Sequence, residues 1–217
     1  MSPTDDALEP GRDCTDCPRL VKYREANRRR EPEWHNAPVA SFGSLDARLL
    51  IIGLAPGMRG ANRTGRPFTG DFAGDLLYPT LLKYGFAGGT FDARPDDGLH
   101  LEDCRITNAV RCVPPENKPT GAEITACRTY LINEIAAMKR LTVMLCLGSI
   151  AHNATLRVLG LKQAAHRFGH KAAHALPDGR LLIDSYHCSR LNTNTGRLTE
   201  AMFHDVFAEI RSRLDQA

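Results

Sequence analysis

Arg48-Leu49-Leu50-Ile51-Ile52-Gly53 is a short apolar run closed by a glycine, the character of a strand buried on both faces of a parallel sheet. Leu141 to Gly148 (LTVMLCLG) and Leu181 to Tyr186 (LLIDSY) repeat it, and Cys104 to Val110 (CRITNAV) is a fourth candidate. Helical segments lie between and after these runs: Phe72 to Tyr84, Gly121 to Arg140 with apolar Ile124, Leu131, Ile135 and Met138, Ser149 to Leu159, and Thr199 to Leu214. The order is α/β, and the expected architecture is a three-layer α/β/α sandwich around a central, mostly parallel four-stranded sheet. Thr120 followed by Glu123 fits a capping box, so the long middle helix should start there and carry Cys127 in its second turn. Thr199 is a plausible N-cap for the last helix, whose Phe203, Val206, Phe207 and Ile210 form an apolar face.

Ligands of open parallel sheets bind where loops leave the carboxyl ends of strands. Three loops meet that condition: Leu54 to Gly70, Arg111 to Pro119, and His187 to Arg197. The chain has 217 residues, 42% hydrophobic and 24% charged, which suits one domain of ordinary size and excludes a wholly disordered chain. No apolar run approaches the roughly 18 residues of a membrane helix, so no membrane partner is expected. The first ten residues, MSPTDDALEP, are acidic and polar where a secretory signal is basic and then apolar. A cytoplasmic address is expected, with residues 1–10 as a flexible tail and 11–217 as a single domain. The formal net charge of +3 does not identify a nucleic-acid partner, although residues 11–30 hold seven Arg or Lys against three Asp or Glu.

Seven cysteines in a chain without an export signal argue against a disulfide framework and for metal binding, catalysis or burial. Cys14-Thr15-Asp16-Cys17 is a C-x-x-C pair, and Cys112 and Cys127 lie far along the chain with 14 residues between them. Together they could close a four-thiolate site holding either zinc or a 4Fe-4S cluster, and the spacing does not decide between the two. The pair precedes any clear strand, which favours a bound metal over thiol redox chemistry. Cys104 and Cys146 sit inside strand-like runs, where free cysteine behaves as a small buried hydrophobe. Cys188 adjoins His187, but neighbours on an extended loop point opposite ways, which argues against a Cys/His nucleophile pair.

The loop from Gly53 to Asp71 (GLAPGMRGANRTGRPFTGD) is long and glycine-rich, and such loops tend to be functional. Its glycines permit close backbone approach to a ligand, and Arg63, Arg66, Asn62 and Thr64 offer donors to an anionic backbone or an oxygen-rich base. It lacks the Gly-Lys-Ser/Thr ending of a P-loop. The loop His187-Cys188-Ser189-Arg190-Leu191-Asn192 directly follows an expected strand and places a histidine among hydroxyl, amide and guanidinium donors.

The four-cysteine pattern, GLAPG with the following NRTGRPFTGD, ITNAVRCVPPENKP, and SYHCSRLNTNTGRLT, in this order, resemble the uracil-DNA glycosylase superfamily. The closest likeness is to its family 5, the type B enzymes with an iron-sulfur cluster, and it spans nearly the whole chain. The resemblance implies a monofunctional glycosylase of base-excision repair that releases uracil, and other deaminated or etheno bases, from DNA. It implies that Cys14, Cys17, Cys112 and Cys127 hold a 4Fe-4S cluster, and it is this resemblance that prefers iron to zinc. A damaged base must be flipped out of the duplex at a cost of about a few kcal/mol. Phe68 then matches the family's stacking platform, worth about 1–3 kcal/mol per base. Asn108 matches the asparagine that reads the uracil edge, and Gly53 and Ala55 belong to the motif lining the same pocket.

By the same resemblance His187 is the catalytic group, donating a hydrogen bond to uracil O2 as negative charge grows there. Arg63, Arg66, Ser189, Arg190 and Asn192 are expected on the DNA. Several sister families carry Asp or Asn where this chain has Ala55, which cannot act as a base; Asn62 or Asp71 is the expected substitute for positioning the attacking water. The expected partner is DNA containing uracil or other damaged bases, met by a monomer. The main alternative is a non-catalytic iron-sulfur or zinc DNA-binding relative, which absence of His187 and Asn108 would have favoured. An electron-transfer protein is the other, told apart by reversible reduction of the centre.

Overall fold

All four apolar runs are strands of one sheet in the computed structural model, which describes residues 8–216. In chain order the elements begin with helix α1 (Pro18–Arg30), strands β1 (Phe42–Gly43) and β2 (Leu49–Gly53), and helices α2 (Ala61–Thr64) and α3 (Phe72–Lys83). Strands β3 (Ala87–Gly88), β4 (His100–Leu101) and β5 (Cys104–Asn108) follow, then helix α4 (Gly121–Ala137), strand β6 (Val143–Leu147) and helix α5 (Ser149–Val158). Strands β7 (Ala173–Ala175) and β8 (Leu181–Ser185) and helices α6 (Arg190–Asn194) and α7 (Glu200–Asp215) complete the order. The main sheet runs β1-β5-β2-β6-β8-β7, with β5, β2, β6 and β8 parallel and β1 and β7 antiparallel to their neighbours. The expected four strands are the parallel middle, and the count is corrected to six by two short edge strands. A β3-β4 ribbon stands apart from this sheet.

Because side chains alternate across a strand, each parallel strand feeds two cores. Leu49, Ile51, Ile106, Val143, Leu145 and Ile183 face α3 and α7, meeting Leu77, Leu81, Phe203, Val206, Phe207 and Ile210. Leu50, Ile52, Met144, Cys146 and Leu182 face the other way, onto Leu131 and Ile135 of α4 and Ala151 and Leu156 of α5. The result is the three-layer arrangement, and burial on both faces explains why these strands are apolar throughout. The capping box forms: Thr120 Oγ1 accepts from the Glu123 N–H at 3.3 Å, and Glu123 Oε2 accepts from the Thr120 N–H at 2.7 Å.

Buried Glu134 of α4 accepts from Arg105 Nε (2.6 Å), Thr107 Oγ1 (2.8 Å) and Arg111 Nη2 (2.7 Å), clamping that helix onto β5. Of the N-terminal ten residues expected to be flexible, 1–7 lie outside the described residues. Leu8 and Pro10 are buried, and Glu9 pairs with Arg111 at 2.8 Å, so these three are packed onto the same network. Among the described residues no helix is long and apolar enough to cross a membrane.

Candidate active site

The sheet order reverses at β2, whose neighbours β5 and β6 lie on opposite sides of it, and ligands of open α/β sheets bind at such a reversal. A cavity of about 350 Å³ opens there, at the carboxyl ends of the strands. Its walls come from Leu54 to Gly57 after β2, from Phe68 and Asp71 to Ala73, from Asn108 at the end of β5, and from His187, Ser189 and Arg190 after β8. All three expected loops contribute, since Asn117 also lines it.

Gly53 ends β2, and a Cβ there would collide with Asn108 Oδ1 and stand 2.7 Å from Phe68 Cζ. Only glycine lets the amide and the ring close together over the strand end. Asn108 is 3% exposed, and its Oδ1 has no hydrogen-bond partner. An unsatisfied buried acceptor costs about 1–3 kcal/mol, so this amide oxygen is poised for a donor from outside the chain. Phe68 has a left-handed backbone, φ 51°, a conformation costly to a bulky side chain. It is held from several sides. Tyr78 Oη donates to the Pro67 carbonyl at 2.5 Å, and Gly74 lies so close to the Phe68 carbonyl that a Cβ would overlap it.

Arg66, expected on DNA, is instead part of this clamp. It is 6% exposed, donates from Nε to Thr69 Oγ1 at 2.8 Å, and forms a two-pronged ion pair with Asp97 at 2.8 and 2.7 Å. Asp97 takes up further N–H groups from Asp92 and Leu99, and these with Arg66 hold its carboxyl below the usual range. Pairing with a buried carboxylate removes Arg66 from any role at the surface.

The His187 ring lies 6.0 Å from Phe68, centroid to centroid, at 29°. Burial pushes its pKa down to about 4, so near neutral pH the imidazole is uncharged and keeps one N–H to donate. Its carbonyl accepts from Asn192 Nδ2 at 2.8 Å, so Asn192, expected on DNA, braces the loop that carries His187. Ser189 caps α6 by accepting from the Asn192 N–H, and Arg190 is exposed with its guanidinium 5.4 Å over the Phe72 ring. Leu191 beside it is 71% exposed, an apolar side chain in a polar loop that the motif left unassigned. Cys188 is fully buried and its thiol is pushed up to about 12, which removes it as a nucleophile.

The two expected water-positioning residues separate. Asn62 is 1% exposed, donates from Nδ2 to Asn36 Oδ1 at 2.9 Å and is not among the residues lining the cavity. Asp71 lines the cavity, caps α3 by accepting from the Ala73 N–H at 3.2 Å, and packs its carboxylate against Gly57 and Gly60. Burial raises its pKa, against the opposing pull of the Gly74 and Ala73 N–H groups. Ala55 presents only a methyl group, and Arg63 is exposed.

Behind this site, Cys17, Cys112 and Cys127 gather in one buried cluster with Leu20, Ala109 and Val110. Cys17 is the N-cap of α1 with Pro18 at its first position, and Cys127 sits in the second turn of α4 as expected. Burial first, then the neighbouring thiols, raise the pKa of Cys17 and Cys112 to about 12, and Cys14 acts on both. Buried Arg24 donates to Cys112 Sγ at 3.9 Å and to the Cys14 carbonyl at 2.9 Å, while its Nε has no partner. A buried guanidinium with an orphaned N–H beside four thiols fits an anionic metal-thiolate centre.

The family model described as Uracil DNA glycosylase superfamily matches residues 40–211. The Type-5 uracil-DNA glycosylase of Thermus thermophilus is 47% identical over 204 residues, 91% of this chain and 92% of the relative. That of Pyrobaculum aerophilum is 40% identical over 197 residues, 89% and 85% of the two chains. A Type-4 uracil-DNA glycosylase of the same organism is 34% identical over 150 residues, 69% of this chain and 62% of the relative.

Proposed function

This chain belongs to the uracil-DNA glycosylase superfamily, and from that premise we propose that it excises uracil from DNA by hydrolysing the N-glycosidic bond, leaving an abasic site. The observation that carries the reading is one cavity in which Phe68, the orphaned Asn108 Oδ1 and the neutral His187 converge. Uracil offers an N3–H donor flanked by carbonyl acceptors. Asn108 Oδ1 accepts from N3–H, its Nδ2 donates to the adjacent carbonyl, and the ring stacks on Phe68. As the C1′–N1 bond breaks, its electron pair moves onto the base, and the His187 N–H stabilises the charge at O2. A neutral donor suits this step because it adds little to ground-state binding and strengthens as the anion forms.

Water then adds to the electron-poor C1′ and loses a proton, and Asp71 is the carboxylate in reach of that side of the cavity. Ala55 leaves space where an acid would otherwise stand, consistent with hypoxanthine or ethenocytosine as further substrates. Arg63 and Arg190 serve the phosphates, and Leu191 fills the stack once the base has left, as apolar wedges do. Cys14, Cys17, Cys112 and Cys127 hold a 4Fe-4S cluster, which supplies a structural tie rather than a catalytic group. The buried Arg24 beside these thiols and the likeness to Type-5 enzymes support that assignment. A monomer acting in the cytoplasm completes the proposal.

The test is release of uracil from a labelled duplex with one U·G pair, read by alkaline cleavage of the abasic product. His187→Ala is expected to cut the single-turnover rate by roughly 10²–10³, the scale of losing one donor to a developing anion. Leu191→Ala is expected to slow the duplex reaction and spare single-stranded substrate. No cleavage of any of these bases by protein with its metal intact would leave the non-catalytic DNA-binding relative.

A further inference from the structure

Away from the cavity, the β8-β7 edge of the sheet gathers three groups that neither the glycosylase reaction nor the four cysteines use. Asp184 of β8 is fully buried; its Oδ1 lies 2.8 Å from His152 Nδ1 on α5, and its Oδ2 lies 3.4 Å from His174 Nε2 on β7. The three ligand atoms lie within 4.8 Å of one another. Nitrogen and oxygen ligands at about 2.0–2.2 Å from one tetrahedral ion are roughly 3.3–3.6 Å apart, so small side-chain movements would seat an ion among them.

The other ring nitrogen of His152 makes the case stronger. Nε2 lies 2.8 Å from the His166 carbonyl oxygen, which can only accept, so Nε2 carries a proton. In the neutral imidazole the lone pair is then on Nδ1, aimed at the Asp184 side. A hydrogen bond from the remote nitrogen to a backbone carbonyl is how ligating histidines are ordinarily oriented. Without an ion, His152 faces two acceptors, so an extra proton must be held between this ring and Asp184, in a pocket where the ring is 1% exposed and its centroid lies 5.6 Å from that of Phe168, and a second imidazole competes for the same carboxylate. A shared cation satisfies all three groups at once.

Access is present on one side. The His174 side chain is 15% exposed, and the His166 ring stands 5.6 Å from it, so solvent or His166 can complete the coordination. We propose that His152, His174 and Asp184 form a second metal site, for a divalent transition ion of borderline softness such as zinc, separate from the cysteine centre. Enclosure of two of its three ligands makes it structural. It would pin the 160–175 segment to β8, and that segment's Phe168 and His170 pack on Tyr186, the residue before His187.

The experiment uses holoenzyme with its iron intact, cleared of loosely bound metal and titrated with Zn²⁺ against a chromophoric competitor, with zinc and iron counted by mass spectrometry. One zinc per chain is expected, with iron content unchanged. Affinity is expected to fall by at least about 100-fold in His174→Ala and Asp184→Asn, and zinc should raise the melting temperature of wild type but not of His174→Ala. His174 sits half-buried on an edge strand, so His174→Ala keeps the test valid if Asp184→Asn fails to fold. Equal zinc affinity in wild type and His174→Ala, or zinc uptake only with loss of iron, overturns the proposal.

Discussion

Asn108 and His187 both sit in the folded protein at a cost that the proposed reaction would explain. Asn108 keeps a buried oxygen without a donor, so Asn108→Ala is expected to cut uracil release by at least about 10²-fold while leaving the urea midpoint unchanged or higher. A variant that lost stability in step with activity would make Asn108 a structural residue. His187 is a base whose pKa falls from 6.5 in the unfolded chain to about 4 in the fold. Between those values the unfolded chain binds a proton that the native state does not, so stability rises with pH across the window. This contribution is complete above about pH 6.5 and is lost as pH falls toward 4. Wild type should therefore lose more of its urea midpoint between pH 7 and 4.5 than His187→Phe does. Its single-turnover rate should also run without an inflection near pH 6.5, and an inflection there that disappears in His187→Phe would contradict a neutral histidine.

At the scale of elements, the clamp under Phe68 decides whether the stacking platform holds its left-handed backbone. Asp97→Ala strands the Arg66 guanidinium in a buried site and is expected to cost about 3–5 kcal/mol, with weaker substrate binding as the 66–69 strap loosens. Replacing both partners, Arg66→Met with Asp97→Leu, should recover most of that loss, and a cost below about 1 kcal/mol for Asp97→Ala would show the pair to be dispensable. The pairing was not legible in the sequence because 31 residues separate the partners and nothing local marks it. The Asn62–Asn36 bond was hidden for the same reason, its partners lying 26 residues apart. The parallel strands were legible because burial on two faces leaves an unbroken apolar run. Edge strands β1 and β7 leave no such trace, being two and three residues long and only partly buried. Helix α1 was missed because the residues it buries, Leu20, Arg24 and Asn27, have helical spacing but two of them are polar. The site was the reverse case: Gly53, Phe68, Asn108 and His187 are far apart in sequence, and only the family resemblance joined them before the fold did.

Over the whole molecule, the net charge of +3 hides a division of labour among the basic residues. Arg19, Arg28, Arg66, Arg105 and Arg111 are committed to carboxylates, and Arg24 is buried beside the cysteines. Arg12, Lys22, Arg29, Arg59, Arg63 and Arg190 stay exposed without an ion pair among the described residues. The local excess in residues 11–30 is thus partly consumed inside the fold. Part of what remains belongs to the loops that wall the cavity, Arg63 in the first and Arg190 in the last, and α1 touches the first loop through Tyr23 and Met58 at 3.9 Å. A surface of this kind binds duplex by displacing counterions, and log K falls with log salt by about 0.9 for each phosphate neutralised. Binding to an undamaged duplex should therefore weaken steeply with salt, and Arg63→Ala should flatten the slope by about one. Arg140→Ala is the control: that side chain is 56% exposed and pairs with Asp46 at the amino end of the strands, away from the cavity. Its slope should match wild type, and equal flattening by both variants would place the DNA elsewhere than across the mouth of this cavity.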